Sequence, residues 1–130
     1  MKPRILIIED HSQSLYLARY LLEANGYEIL QAEDGKSGLV LAETSEPDLI
    51  LLDISLPMMD GITVADRIRA TGPGFQVPIV AMTAHAMIDD RDKIMQTGFD
   101  GYISKPIDPD TFISEVRSFL AGEFEQAITP

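Results

Sequence analysis

The chain has 130 residues and a net charge of -11, which allows one domain with a real core but not two. No stripe of Lys and Arg is present to neutralise phosphates, so direct nucleic-acid binding is excluded. No apolar run approaches the roughly 20 residues of a membrane span, and the absence of cysteine excludes disulfides and thiolate metal sites.

Only four apolar residues, Ile5 to Ile8, follow Met1-Lys2-Pro3-Arg4 before Glu9-Asp10. That is too short for a signal-peptide core, so the expected location is the cytoplasm. Arg4 to Glu9 reads as a first strand, apolar and largely β-branched, closed by the two acids. Ser12 is the expected N-cap of a helix reaching Asn25, with Leu15, Ala18 and Leu22 on one face. Asn25-Gly26 stops it, glycine taking the left-handed position. Tyr27 to Ala32 is a second strand, and Asp34 caps a helix over Gly35 to Thr44 with Leu39 and Ala42 inward.

Leu49 to Leu52 is a third apolar run, the mark of a strand buried on both faces. Asp53 stands where it stops, with its carboxylate expected to project from the strand end. Pro57 and Gly61 force a loop, and Asp60 caps a helix from Gly61 to Ala70 with Ile62, Ala65 and Ile68 inward. Met58 and Met59 are expected to pack that loop. Thr71-Gly72-Pro73-Gly74 breaks the chain before a fourth strand, Val77 to Met82, ended by Thr83. A fourth helix is expected over Ala86 to Thr97, then a short strand at Tyr102-Ile103. Asp108-Pro109 starts a last helix with Phe112, Val116, Phe119 and Leu120 buried.

Five strands alternating with five helices predict an α/β fold: a five-stranded parallel sheet covered on both faces. The fold rules give strand order 2-1-3-4-5, the flavodoxin-like (βα)5 arrangement, with a crevice between strands one and three. Residues 1–121 form the domain and 122–130 a short tail.

All carboxyl ends of a parallel sheet lie on one edge. Glu9-Asp10, Asp53, Thr83 and Lys105 therefore converge. Three adjacent carboxylates repel unless a cation sits among them, and oxygen-only ligands point to magnesium, with manganese or calcium as alternatives. Asp10, Asp53 and the backbone carbonyl of Ser55 are the expected direct ligands, with Glu9 acting through water. A metal beside a carboxylate nucleophile, with a lysine opposite, suits phosphoryl transfer to Asp53. Thr83 is placed to donate a hydrogen bond to the new phosphoryl group.

Taken together, Glu9-Asp10, Asp53 with Pro57 and Asp60-Gly61, Thr83-Ala84 and Lys105-Pro106 resemble the receiver domain of two-component response regulators over residues 3–121. The resemblance implies phosphotransfer to Asp53 from a histidine kinase or a histidine phosphotransfer protein, and a downstream protein partner. It implies magnesium at Glu9, Asp10, Asp53 and the Ser55 carbonyl, a switch at Thr83 and Tyr102, and a cis peptide at Lys105-Pro106. Such a domain is a signalling module rather than a turnover enzyme, acting as a monomer or weak dimer. Met82-Thr83-Ala84-His85-Ala86-Met87 is most like receivers attached to, or working with, hybrid histidine kinases, whereas the short tail suggests a free-standing receiver and Met1 argues against an internal domain of a longer protein. His85 is a candidate for tuning hydrolysis of the phosphate, weighed against a solvent-facing loop histidine.

Contacts from Thr83 and Lys105 to a phosphoryl group together supply roughly 3–6 kcal/mol of bias. Inverting a 1:99 population takes about 5.5 kcal/mol. An incomplete switch is the expectation, with some active-like population beforehand. Three other classes compete. A flavodoxin-like electron carrier needs a phosphate-cradling loop where Glu9-Asp10-His11 stands. A phosphatase with an aspartyl-phosphate intermediate needs a further general acid and a substrate-covering cap. A receiver that binds partners without phosphorylation does not need the complete acidic set.

Overall fold

Ile5 to Ile8 and Leu49 to Leu52 are all completely buried, and these two runs form the middle of the sheet. The strands are β1 (Arg4–Ile8), β2 (Glu28–Ala32), β3 (Leu49–Asp53), β4 (Ile79–Thr83) and β5 (Gly101–Ser104). They pair in parallel in the order β2-β1-β3-β4-β5. This is the flavodoxin-like order expected from the alternation of elements. The computed structural model describes residues 2–70, 76–84, 94, 96 and 98–122. The loop expected at 71–74, His85, nearly all of the helix expected at 86–97 and the tail from residue 123 lie outside the described residues.

Four helices are described: α1 (Ser12–Ala24), α2 (Gly35–Ser45), α3 (Gly61–Ala70) and α4 (Phe112–Leu120). Successive strand residues point to opposite faces, and each face takes its own helices. Ile5, Ile7, Leu49, Leu51, Val80 and Met82 meet α1 and α4 through Leu15, Leu22, Phe112 and Val116. Leu6, Ile8, Ile50, Leu52 and Ile79 meet α2 and α3 through Ala42, Val64, Ala65 and Ile68.

Several local details depart from the sequence reading. His11, not Ser12, is the N-cap of α1, and it makes no side-chain cap bond. In α3 Ala65 and Ile68 are buried as expected, but Val64 joins them in place of Ile62, which is only half-buried. The last helix begins at Phe112 with Thr111 as N-cap, not at Asp108-Pro109. Asp108 is used earlier: its side chain accepts from Asp110 N at 2.9 Å, and its carbonyl accepts from Thr111 and Phe112 N. The start signal is satisfied in a turn before the helix. A cap contributes about 1 kcal/mol, whereas each buried Leu or Ile contributes about 1.5–3 kcal/mol. The strands therefore decide the architecture, and a displaced cap moves a helix end by a few residues.

Two caps stand where the sequence puts them. Asp34 accepts from Ser37 N at 2.7 Å at the start of α2. Asp60 accepts from Thr63 N at 2.9 Å at the start of α3. Gly26 ends α1 with φ +89, a conformation that favours glycine.

An ion pair between distant elements also sets the fold. The Arg69 guanidinium, at the end of α3, donates to the carbonyls of Gly98 and Val77 and pairs with Asp100. Asp100 in turn accepts from Ile79 N at 2.9 Å. Arg69 thereby ties α3 to the start of β4 and to the segment entering β5.

Candidate functional site

The register of the sheet places the strand ends side by side. Ile8 pairs with Leu52, Asp53 with Met82, and Thr83 with Ser104. Two further bonds extend the ladders by one residue: Glu9 N donates to Ala32 O at 3.0 Å, and Lys105 N donates to Thr83 O at 2.8 Å. Glu9, Asp53, Thr83 and Lys105 therefore stand in consecutive positions along one edge.

The site is more enclosed than the sequence suggests. Glu9 is completely buried and Asp53 is only 4% exposed. The Asp53 carboxylate does not project freely into solvent: Ser55 N and the Lys105 ammonium stand against its two oxygens. Asp10 is exposed. Carboxylate oxygens of Glu9, Asp10 and Asp53 lie within 4.8 Å of one another.

Lys105 reaches into this group, its Nζ 2.7 Å from Glu9 Oε1 and 3.7 Å from Asp53 Oδ2. The peptide between Lys105 and Pro106 is cis. Asp53 Oδ1 accepts from Ser55 N at 3.1 Å, and Glu9 Oε2 accepts from His11 N at 3.2 Å. Burial pushes the Glu9 carboxyl from 4.5 up to about 7, and the adjacent Asp53 carboxylate adds to the rise while Lys105 opposes it.

Thr83 is buried at the end of β4. Tyr102 is half-buried on β5, against the core face that carries α2 and α3. Ser55 is exposed. His85 lies outside the described residues.

Among the described residues the Lys105 ammonium pairs with the two buried acids, Glu9 and Asp53, while the exposed Asp10 adds a third carboxylate to the group, and Glu9 Oε1 has no hydrogen bond of regular geometry despite the nearby ammonium. This charge deficit and the all-oxygen donor set fit a small hard dication such as magnesium. The residues present suit that group.

The loop after Asp53 contains a feature that the sequence reading missed. Met59 N donates to Pro57 O at 2.6 Å across Met58, whose φ is +67. This is a tight γ-turn of the rare, strained hand. It turns the Met58 side chain wholly into solvent, so Met58 does not pack the loop, while Met59 is half-buried against the core. Gly61 N then donates to Ile54 O at 2.9 Å, closing the loop onto the end of β3.

Residues 5–117 match the family model of the response regulator receiver domain. The chain belongs to this family. Among relatives of this receiver, the polar-differentiation response regulator DivK of Brucella anthropi is 39% identical over 120 residues, covering 92% of this chain and 98% of its own. The receiver domain of sensor histidine kinase PA1611 from Pseudomonas aeruginosa superposes with a TM-score of 0.85 at 30% identity, over 93% of this chain and 99% of that one. That domain holds a magnesium ion in its active-site cleft. Chemotaxis response regulator CheY4 of Vibrio cholerae shares the fold, with a TM-score of 0.86 at 23% identity over 90% and 98% of the two chains. No helix among the described residues is long and apolar enough to cross a membrane.

Proposed function

We propose that this receiver accepts a phosphoryl group on Asp53 from a phosphohistidine donor, a histidine kinase or histidine phosphotransfer protein. An Asp53 carboxylate oxygen attacks phosphorus, the P–N bond breaks, and its electron pair leaves on the imidazole nitrogen. The observation that carries this reading is Asp53 at the strand end, buried with a second acid and with the Lys105 ammonium 3.7 Å away.

Each neighbour has a role. Ser55 N–H holds Asp53 Oδ1, which orients the carboxylate. Lys105 offsets the charge that accumulates on the phosphoryl oxygens. The Thr83 hydroxyl donates to the phosphoryl group once it is in place. Glu9, Asp10, Asp53 and the Ser55 carbonyl would hold magnesium, or manganese in its stead, and a bound dication supplies charge neutralisation at the transferring group.

The switch follows from the same edge. When Thr83 moves toward the phosphoryl group it vacates space beside β4, and Tyr102 on the adjacent strand turns inward. The surface of β5 and α4, together with the helix that the sequence predicts over 86–97 and that lies outside the described residues, then changes and selects a downstream protein. The domain spans residues 1–121, works in the cytoplasm as a monomer or weak dimer, and catalyses only its own phosphorylation and dephosphorylation.

Intact mass after incubation with magnesium and acetyl phosphate tests the reading. Wild type should gain one phosphoryl group, lost on chelation, and Asp53→Asn should gain none. An equal gain by Asp53→Asn would remove Asp53 as acceptor.

A further inference from the structure

A groove of about 420 Å³ runs between α1 and β2, the edge strand of the sheet, on a surface that the phosphoacceptor reading does not use. Tyr16 and Tyr20, one helical turn apart on α1, stack along it with ring centroids 6.4 Å apart and planes 18° from parallel. They are 72% and 60% exposed, two of the four large apolar side chains left exposed among the described residues. Leu15 is buried beneath the groove.

The charges around the rings are unbalanced. Arg19 crosses from α1 to β2, pairing with Glu23 at 3.2 Å and donating to Gln31 at 2.6 Å. Its charge is thus already offset by Glu23. Glu33, which also lines the groove, forms no salt bridge with another described residue. The open π-faces therefore lie beside net negative charge, on a chain that carries -11 overall. A guanidinium or ammonium on a hydrocarbon stem meets both demands: the stem covers apolar surface and the head sits over an aromatic face. A second copy of this chain would bring the same acidic rim, and nucleic acid or an anionic membrane would be repelled.

We infer that the Tyr16–Tyr20 groove docks a basic, amphipathic segment of a partner protein, with an Arg or Lys side chain seated over the stacked rings beside Glu33. The docking stands independently of phosphorylation at Asp53.

The test is an amide-shift titration of the receiver with the probe peptide acetyl-Leu-Arg-Ala-Leu-Arg-amide and with its counterpart carrying Glu for both Arg. The arginine peptide should shift Tyr16, Tyr20 and Gln31 amides, and the glutamate peptide should not. The double variant Tyr16→Ala/Tyr20→Ala, which removes only exposed rings, should bind the arginine peptide about tenfold more weakly and accept phosphate from acetyl phosphate as wild type does. Arg19→Ala frees Glu23 and should tighten binding. The inference is overturned by absence of shifts at millimolar arginine peptide, by equal shifts with the glutamate peptide, or by shifts centred on Glu9, Asp10 and Asp53.

Discussion

Lys105 lies closer to Glu9 than to Asp53: its Nζ is 2.7 Å from Glu9 Oε1 and 3.7 Å from Asp53 Oδ2. The ammonium is thus committed first to the fully buried acid. Removing one partner of a buried pair strands the other charge. Lys105→Met should destabilise the metal-free protein by about 2 kcal/mol near pH 8 and by less near pH 5, where Glu9 takes a proton instead. Urea unfolding at the two pH values in the presence of a chelator measures this, and an equal loss at both would show that Glu9 is not the group left unpaired.

Glu9 itself predicts a pH dependence. Its carboxyl titrates near 7 in the fold against 4.5 unperturbed, chiefly through burial. The folded state therefore binds this proton more tightly than the unfolded state. The resulting stability is fully present below about pH 4.5 and is lost as pH rises through about 7, amounting to at most about 3 kcal/mol. In chelator, wild type should lose stability from about pH 5 to pH 8 relative to Glu9→Gln. Parallel stability curves for the two proteins would contradict the burial of an ionisable carboxyl there.

Gly61 is placed by backbone contact. A Cβ at this position would lie 2.5 Å from Asp53 O and 2.7 Å from Ile54 Cα, and neither atom is the flexible end of a side chain. Gly61→Ala should cost about 1–3 kcal/mol and displace the end of β3. Phosphorylation by acetyl phosphate should slow in the same variant. Unchanged melting would mean that the loop yields more readily than its contacts indicate.

Arg69 predicts a cost far from the acidic site. Its guanidinium serves Gly98 O, Val77 O and Asp100, and Arg69→Met leaves all three acceptors short of a donor. The loss should be about 2–4 kcal/mol. Asp100→Asn, which retains an acceptor for Ile79 N, should cost less. The reverse ranking by thermal melting would assign the stability to the Asp100 charge rather than to the hydrogen bonds that Arg69 donates.

The two kinds of information in the chain differ in reach. The apolar runs at Ile5 and Leu49 specify strands and, through them, the sheet and the edge on which Glu9, Asp53, Thr83 and Lys105 meet. Burial of those runs outweighs every competing local preference. Which acid Lys105 prefers, and that Arg69 finds Asp100 across 31 positions, depend on how finished elements pack, and no local pattern encodes either. Asp108-Pro109 and Ser12 carry start signals that the chain spends differently, Asp108 in a turn and Ser12 as the first helical residue. The exposure of Met58 was equally hidden, because methionine is ordinarily a packing residue and the positive φ that turns it out depends on loop closure at Gly61.

That Met58 turn has a practical use. The side chain stands in solvent in the loop directly after Asp53, and the chain contains no cysteine. Met58→Cys would therefore install a single, fully accessible thiol beside the acidic edge without disturbing the core. A fluorophore or spin label attached there would follow magnesium binding and phosphorylation in real time from a position that holds neither.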